Sequence, residues 1–537
     1  MEPAGAGPES PGIVSGNQTH PEVPPDRAPR GSAWLWLAAF AGALVLYVTT
    51  LAPDLVWQDG GEYQLNVARL TWPPAQGTVW SRPGTAVRVH PWFLVTARAL
   101  WWPRFWTYAY AANLCSAASM AVAAANVALL VFLLTGRRVA AVVGGLVFAL
   151  GHTVWTFGVM SEVLGWTAAF LSAECLCAWA WATTRRPRWL LLLFLLNGAA
   201  ISNHMMAALS LAVFAVWVFV DVVRGRAPWW VLPSAAGLWV AGAALYWIVL
   251  ATEYAGTRDL AGTLISATVG RYGGQAANVR GLPGLFGRSL LYIALNHPTP
   301  LVLAAVGGAV ALWRRRDAVS RVILILAAVY FLWAARYKVP DQFSFFVPFY
   351  VLSSVLIGVG AGCLLSRKRL KAVLVLLALL PVGVYAVLPS VAEAVGFQFQ
   401  SRVLPYRDPY TYFVQPWKRG YEGARRFAEE ALDSLPPKAV LMADSTSSAP
   451  LQCVWQVEGR RPDVVVVGLG ADITDPFLGG LWGTKEDPWP QLNAEGRLAF
   501  VVSDVRAYIP RWVSQYARLK PFGIIYEAEP RGSEGPG

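Results

Sequence analysis

Charged residues and cysteines are both scarce in this sequence. Only 14% of its 537 residues are charged, against about 25% in soluble globular proteins, while 56% are hydrophobic. This composition excludes an ordinary soluble enzyme, and it excludes a disordered chain, which needs low hydrophobicity and high charge. Five cysteines are too few for a disulfide scaffold of this length, and their spacing matches no metal motif.

Long apolar runs take the place of charge. A membrane-spanning helix needs about 20 apolar residues, and the sequence holds about eleven such runs. They cover residues 33–52, 105–135, 139–158, 162–184, 189–203, 204–223, 229–251, 288–312, 318–336, 343–365 and 371–391. We therefore predict a polytopic α-helical membrane protein.

The basic residues predict its orientation. The net charge is +12, and it comes from short clusters between the apolar runs rather than from a basic surface of the kind that binds nucleic acid. One cluster precedes the first run and every other follows an even-numbered run. The clusters are Arg27 and Arg30; Arg137 and Arg138; Arg185, Arg186 and Arg188; Arg224 and Arg226; Arg314, Arg315 and Arg316; Arg367, Lys368, Arg369 and Lys371. Positive loops stay in the cytoplasm, so we predict a cytoplasmic N-terminus and a C-terminus on the far side.

Three parts follow from this pattern. Residues 1–30 are rich in Pro and Gly and are predicted to be a disordered cytoplasmic tail, residues 31–391 the membrane domain, and residues 392–537 a small extracytoplasmic α/β domain. The abundance of Ala, Gly and Arg is typical of a GC-rich bacterial genome, which makes this an inner-membrane protein with a periplasmic C-terminus.

The last part changes from long apolar runs to short ones. An amphipathic pattern predicts a helix over residues 417–434. Short apolar runs predict strands at 439–443, 464–468 and 498–502, with a helical stretch at 449–458 between the first two. Strand–helix–strand order indicates an α/β domain with a parallel sheet.

Most of the unusual polar residues lie in the connections that face outward. They are Asp59, Glu62 and His90 in the first connection, Glu162 in the next, then Asn203 and His204, then Arg258 and Arg271 in a loop predicted at 252–287, then Lys338 and Asp341. Ionisable groups at a membrane edge are costly and mark functional sites. We therefore expect any chemistry at the outer face.

Asp59 and Glu62 are the sharpest pair. Carboxylates three residues apart share one face of a helix, here a helix predicted to begin near Gly60 with Asp59 as its N-cap. Asp59 then either only caps an interfacial helix or acts as a general base whose pKa is tuned by its surroundings. Gly60 and Gly61 are expected to let a substrate approach closely.

The neighbouring polar residues each have a simpler alternative. His90 is either a substrate-binding group or a structural hydrogen-bonding residue. Glu162 either caps the fourth span or points into the same cavity as Asp59. Asn203 and His204 suit hydrogen bonding to phosphate or sugar, and equally suit a break between two helices.

Cations near the outer face are candidates for an anionic substrate. Arg258 and Arg271 lie near glycines, and the guanidinium fork bonds two phosphate oxygens at once. Lys338 opens the connection before the tenth span. The alternative for each is a solvated loop charge, and Asp341 either caps the tenth span or pairs with Lys338.

The order of these motifs resembles a known family. Asp59-Gly60-Gly61-Glu62, His90-Pro91, Ser161-Glu162-Val163 and Ser202-Asn203-His204 are followed in the tail by Leu435-Pro436, Trp455-Gln456-Val457 and Arg461-Pro462-Asp463-Val464. Over about residues 50 to 470 the chain resembles the bacterial relatives of an animal membrane O-mannosyltransferase that modifies plexin-type receptors. The chain departs from the family after Pro91, where Trp92-Phe93 stands in place of a Gly-Tyr-Pro-like run.

That resemblance implies a GT-C class glycosyltransferase. Such an enzyme moves a sugar, mannose in the animal case, from a polyprenyl-phosphate carrier to a hydroxyl group on a protein or glycan. The class uses an acidic residue of the first outer loop as its catalytic base, which here is Asp59 with Glu62 beside it. No cofactor motif is present, and a divalent cation bridging Asp59 or Glu62 to the donor phosphate stays an alternative.

Two other classes compete with a glycosyltransferase. A transporter or lipid flippase carries polar residues near the bilayer midplane, in repeated halves. Here the charges cluster at one face, and the sequence shows no repeat of fixed period. The second competitor is a non-catalytic membrane scaffold with the tail as its binding module.

Overall fold

The computed structural model of the protein describes residues 31–75, 78–80, 86–268, 270, 273–276, 278, 280–364, 368–398, 402–468 and 473–531. The predicted tail at 1–30 and the candidate Arg271 lie outside the described residues.

Among the residues that the structure describes, eighteen α-helices, α1 to α18, build the N-terminal part. In chain order they are Ser32–Thr49, Gln58–Arg69, Pro91–Trp101, Tyr108–Thr135, Arg138–Ala149, His152–Gly158, Leu164–Thr184, Arg188–Asn203, Ala207–Val223, Val231–Gly242, Ala244–Thr257, Leu260–Thr268, Gly273–Ala276, Leu282–Asn296, Ala304–Arg315, Ala318–Arg336, Val347–Leu364 and Lys368–Ala394. Short 3₁₀ turns at Ala86–Arg88, Pro300–Leu303 and Gln342–Phe346 join some of them.

Each predicted apolar run contains a helix or a bent helix pair. In the part of the chain that the structure describes, five helices are long and apolar enough to cross a membrane, namely α1, α4, α16, α17 with its preceding 3₁₀ turn, and α18; counting three bent pairs as single spans gives up to eight. The pairs bend by 69° (α5 and α6), 63° (α10 and α11) and 119° (α14 and α15). The polytopic membrane fold is confirmed, and the count of eleven spans stays a prediction.

The loop predicted at 252–287 is wrong. Helix α11 continues to Thr257, α12 and α13 follow it, and α14 begins at Leu282. Arg258 takes the left-handed position directly after α11, with φ of 55°. The glycines between 255 and 287 suggested a loop, but the apolar residues of α12 still form a helix.

Helices α4 and α17 are mostly buried at the centre of the membrane part, whereas α1 and α18 lie at the periphery of the bundle with most of their residues not buried. Close backbone contact joins α17 to α15. A Cβ atom at Gly308 of α15 would collide with the carbonyl oxygen of Leu356, and one at Gly360 of α17 would collide with that of Ala304. Small residues allow such contact between membrane helices, where dispersion and not hydrophobicity drives association.

The C-terminal part is a small α/β domain with helices α19 to α24 and strands β1 to β5. The helices are Thr411–Val414, Gly423–Ser434, Ser448–Gln452, Pro476–Gly480, Trp489–Ala494 and Arg511–Tyr516, and the strands are Val440–Ala443, Val465–Gly468, Ala499–Val501, Ala517–Phe522 and Ile525–Pro530. The sheet order is β2-β1-β3-β5-β4. β1, β2 and β3 are parallel as predicted.

Two features of this domain were not predicted. The hairpin of β4 and β5 adds two antiparallel strands, so the sheet is mixed. The helix predicted from residue 417 begins at Gly423, because the preceding segment contacts the membrane part instead. Lys418 is buried there and donates its backbone N–H to the carbonyl oxygen of Thr50 at 2.8 Å.

The domain is fixed to the first connection and to α4 by charge. Arg425 of α20 donates to Asp54, and its Nη1 and Nη2 each lie 2.9 Å from a carboxylate oxygen of Glu458. The hydroxyl of Tyr108, the first residue of α4, donates to the same Glu458 at 2.9 Å. Asp54 precedes α2 by only a few residues, so this contact ties the C-terminal domain to the chain just before that helix.

Candidate active site

Helix α2 carries Asp59 and Glu62. It begins at Gln58, and its N-cap is Trp57, whose side chain makes no capping bond. Asp59 therefore lies inside the first turn, and the prediction that it caps the helix is wrong. A carboxylate in the first turn still interacts favourably with the exposed N–H groups there, so this position suits an anion.

Gly60 and Gly61 bring protein, not substrate, close to this turn. A Cβ at Gly60 would lie 2.9 Å from the carbonyl oxygen of Ser161, and one at Gly61 would lie 3.1 Å from Cβ of Ala449 in the C-terminal domain. The expectation that the glycines open the turn to a substrate is wrong. They let α2 fit between the membrane part and the C-terminal domain.

Hydrogen bonds of two fully buried side-chain amides fix the position of α2 relative to α4. Gln64 of α2 accepts from the N–H of Val56 at 3.0 Å and donates to Oδ1 of Asn113 at 3.0 Å. The same oxygen of Asn113, on α4, accepts from the N–H of Ser161 at 2.8 Å. Buried amides with satisfied hydrogen bonds hold a single geometry, so one residue of α4 places both α2 and the turn at residue 161.

Glu162 follows in that turn. Its backbone N–H and carbonyl oxygen both bond Oγ of Ser116 on α4, at 2.8 and 3.0 Å. Its Oε1 accepts from the N–H of Val163 at 2.8 Å, and the carboxyl group also lines the cavity described next. Of the two alternatives for Glu162, the structure therefore favours the cavity, because the N-cap of α7 is Val163 and no side chain caps that helix.

A cavity of about 170 Å³ lies where several connections between the helices meet. Its lining includes five of the nine candidate residues, brought together from three connections of the chain, and a fourth connection adds residues between Tyr337 and Phe345. The lining residues are Asp59, Glu62, Tyr63, Val87, Arg88, His90, Glu162, Val163, Leu164, His204, Tyr337, Val339, Asp341, Ser344 and Phe345.

The carboxylate of Asp59 is exposed to this cavity although the surrounding protein excludes most bulk water. Burial and the negative charges of Glu62 and Asp341 raise the pKa of Asp59 to about 6, against an opposing effect of Arg88. Asp59 makes no hydrogen bond or ion pair with the residues that the structure describes. It is therefore a largely ionised, accessible base near neutral pH.

Glu162 differs from Asp59 in its protonation state near neutral pH. Burial, followed by the charge of Asp59, raises the pKa of Glu162 to about 8, so its carboxyl group is mostly protonated at pH 7. Asp341, whose pKa burial also raises, approaches from the connection before α17. Acids whose pKa values are pushed apart in one site are typical of an acid and base pair.

His90 and His204 are neutral hydrogen-bonding groups on the cavity wall. Nδ1 of His90 lies 2.7 Å from the carbonyl oxygen of Asn203, which only accepts, so Nδ1 carries the proton. Nδ1 of His204 accepts from the N–H of Met206 at 3.1 Å, which leaves its proton on Nε2. Burial lowers the pKa of His90 to about 4 and that of His204 to about 3.

Arg88 is the cation of the cavity lining, and the sequence argument missed it. Its Nη2 lies 3.0 Å from Oε2 of Glu62, and both side chains are about a quarter exposed. Arg88 stands two residues before the His90-Pro91 motif, and that nearness was the available signal. Glu62 is therefore held by a cation, whereas Asp59 is not.

The remaining candidates lie elsewhere. Arg258 and Lys338 are exposed and do not line the cavity. Asn203 is buried and does not line the cavity, and its Nδ2 donates to the carbonyl oxygen of Val163 and the hydroxyl of Thr167 at 2.9 and 3.0 Å. Asp341 forms no ion pair with Lys338 in the described part of the chain.

The described residues contain no group of three or more His, Cys, Asp or Glu side chains that could hold a metal ion.

Comparison with known proteins defines the fold. No protein-family model matches the chain, and no curated protein matches it in sequence. The structure of ArnT from Cupriavidus metallidurans bound to undecaprenyl phosphate is similar, with a TM-score of 0.56 and 16% identity over 95% of this chain and 100% of that chain. ArnT in the apo state gives 0.56 and 14%, over 93% and 98%. The chain therefore has the GT-C membrane fold.

Proposed function

We propose that this protein is a membrane glycosyltransferase that moves a sugar from a polyprenyl-phosphate carrier to a hydroxyl group on a protein or glycan. The observation that carries the proposal is the Asp59 carboxylate, which stands without a polar partner among the described residues in a cavity that also holds Arg88. The ArnT structure of the same fold binds undecaprenyl phosphate, which supports a lipid-linked donor.

The chemistry is a single displacement that inverts the configuration at the anomeric carbon of the sugar. The acceptor oxygen attacks the anomeric carbon and its proton passes to Asp59, the base with the matched pKa. The bond from the anomeric carbon to the phosphate oxygen breaks, and the electron pair leaves with the polyprenyl phosphate. That product carries one more negative charge than the donor ester, so a nearby cation stabilises the transition state.

Arg88 is the cation we assign to the donor phosphate. It lines the cavity and its guanidinium bonds two oxygens at once, whereas Arg258 and Lys338 lie outside the lining. Glu62 holds Arg88 in place through their ion pair. Neutral His90 and His204 suit hydrogen bonds to sugar hydroxyl groups or phosphate oxygens.

The finer assignments rest on the sequence. The resemblance to the animal O-mannosyltransferase family supports mannose as the sugar and a protein hydroxyl as the acceptor. The basic clusters support a cytoplasmic N-terminus and a periplasmic C-terminus in a bacterial inner membrane. A periplasm-active reporter fused at residue 400 is expected to be active and one at residue 315 inactive; the opposite pattern contradicts the proposed orientation.

A transfer assay tests the proposal. Reconstituted protein is incubated with radiolabelled polyprenyl-phosphate mannose and envelope proteins or glycans, with Mg²⁺ and separately with a chelator. Transfer by the wild type and a loss of about 10²-fold or more in Asp59→Asn, the usual scale for loss of a general base, support it. Active Asp59→Asn with inactive Glu62→Gln assigns the base to Glu62 instead. Movement of intact donor across the bilayer without transfer favours the flippase alternative.

A second pair of variants locates the phosphate. Arg88→Gln is expected to raise the apparent KM for the lipid donor by about tenfold or more, because it removes a charge-assisted hydrogen bond worth about 1.5–3 kcal/mol. If Arg258→Gln raises this KM and Arg88→Gln does not, the phosphate binds beside the C-terminal end of α11 and our assignment is wrong.

A further inference from the structure

The C-terminal domain bonds the turn that carries Asp59. The N–H of Gln58 donates to the carbonyl oxygen of Thr446 at 3.1 Å. First-turn N–H groups have no acceptor inside their own helix, so Thr446 supplies an outside one. Gln58 also has φ of 59°, a left-handed conformation that a non-glycine residue keeps only when its surroundings enforce it.

Asp59 has no polar contact of its own with the described residues, so the backbone of this turn determines where its carboxylate lies. Gly61 lies against Ala449 and Pro450 on one side, and Gly60 against Ser161 on the other. The first turn of α2 is therefore clamped between the two parts of the protein. A shift on either side moves Asp59 relative to the cavity.

Asp444 organises the domain side of this clamp. It directly follows β1, and its Oδ1 accepts from the N–H of Thr446 at 2.7 Å. Its backbone oxygen accepts from the N–H groups of Ser447 and Ser448 at 3.2 and 2.9 Å. One aspartate thereby closes the turn that presents the Thr446 carbonyl to Gln58.

Arg402 holds Asp444 in turn. Its Nη2 lies 2.7 Å from Oδ2 of Asp444, and the two side chains are only 5% and 3% exposed. The guanidinium carbon of Arg402 also lies 4.2 Å from the ring of Tyr508. Removing one partner of a buried ion pair leaves an uncompensated charge, so this pair allows Asp444 little freedom.

We infer that Asp444, held by Arg402, is a positioning residue for Asp59. The inference rests on the proposed function, in which Asp59 is the base. It makes the C-terminal domain a part of the catalytic unit, acting through Thr446 and Gln58 on the geometry of proton transfer.

The test compares Asp444→Asn with a matched control, Asp433→Asn, in the full-length protein. Asp433 is also an ion-paired aspartate of this domain, but its partner is the exposed Arg460. Hydrogen–deuterium exchange of peptides covering residues 56–65 is expected to be about tenfold faster in Asp444→Asn and unchanged in Asp433→Asn. Turnover per molecule of donor-binding protein should fall about 10–100-fold in Asp444→Asn, the scale for a misplaced catalytic group. The KM for the donor should stay within about twofold of the wild-type value.

Two further readouts separate positioning from loss of folded protein. The acid limb of the pH profile, which reports Asp59, should move in Asp444→Asn, whereas a smaller folded fraction leaves it in place. The double variant Asp444→Asn with Arg402→Gln, which removes both buried charges and keeps a hydrogen-bonding pair, should recover part of the turnover.

The outcomes distinguish this inference from the proposed function. Unchanged exchange at residues 56–65, or faster exchange with wild-type turnover and pH profile, overturns the positioning role. A wild-type protein that transfers no sugar, combined with faster exchange in Asp444→Asn, overturns the proposed function and leaves the clamp on α2 established.

Discussion

His90 and His204 stack on the cavity wall, with ring centroids 5.1 Å apart and planes within 21° of parallel. His90 lies directly before α3 and His204 joins α8 to α9, so the contact unites two connections that are far apart in the sequence. With Nδ1 of each ring already bonded, Nε2 of His90 is an acceptor and Nε2 of His204 a donor. The pair therefore offers complementary polar edges without adding charge.

We predict that His90→Phe and His204→Phe each raise KM for the lipid donor about threefold to tenfold. Each variant keeps an aromatic ring in the stack but loses its Nδ1 bond within the protein and the proposed Nε2 bond to the donor, a neutral hydrogen bond worth about 0.5–1.5 kcal/mol. His297→Phe is the control, because His297 is buried outside the cavity lining. Steady-state kinetics against donor concentration measure the effect. Unchanged KM in both stacked variants contradicts the assignment.

The pH profile of transfer should be bell-shaped. Asp59 must be ionised to accept a proton, so with a pKa of about 6 the rate at pH 5 should be about tenfold below the plateau. Glu162, with a pKa of about 8, loses its proton above that pH and places a second negative charge beside the base, so the rate falls again.

Glu162→Gln tests the alkaline limb. The amide resembles the protonated acid, so this variant should keep most activity at pH 7 and lose the decline above pH 8, while its acid limb stays. Rates from pH 5 to 9 in one mixed buffer decide the matter. An alkaline limb that persists in Glu162→Gln assigns it to another group.

Asp59 should cost stability at neutral pH. Its folded-state pKa of about 6 exceeds the ordinary 3.8, so ionisation destabilises the folded protein as pH rises from about 4 to 6, and the full penalty remains above that range. Asp59→Asn should therefore raise Tm at pH 8 and change it little at pH 4. Thermal unfolding in detergent measures both values, and an equal shift at the two pH values excludes this origin.

Adjacent glycines of α15 should behave oppositely. Gly308→Ala should lower Tm and the yield of folded protein, because its Cβ would meet the Leu356 carbonyl and force the helices apart at a cost of about 1–3 kcal/mol. Gly307→Ala meets nothing within 4 Å and should gain up to about 1 kcal/mol of helix propensity. Equal Tm values for the two variants would contradict the close packing of α15 and α17.

The sequence predicted the parts of the fold that depend on composition along a short stretch. Long apolar runs located the membrane helices, and short apolar runs located β1, β2 and β3. The hairpin of β4 and β5 escaped because Arg518, Lys520 and the acidic residues of β5 interrupt any apolar run. Only the sheet shows that these charges lie on an edge ribbon, where opposite charges pair across strands.

The site was predicted as a set of residues but not as a geometry. Asp59, Glu62, His90, Glu162 and His204 line one cavity because the connections that carry them converge in the folded protein. The buried contact of Gln64 with Asn113 spans 49 residues and leaves no local pattern. Arg88 lies in a connection without periodicity, where one cation cannot be told from its neighbours.

The contacts between the two parts of the protein form only late in the synthesis of the chain. Thr50, Asp54 and Gln58 are made early, but their partners Lys418, Arg425 and Thr446 follow more than 360 residues later. At a bacterial or eukaryotic translation rate of about 5–20 residues per second, Asp59 waits on the order of tens of seconds for its clamp. A ribosome-bound chain thus holds an incomplete site. A truncation before residue 444 keeps the residues of helices α1 to α18 but removes Thr446, which bonds the turn that carries Asp59.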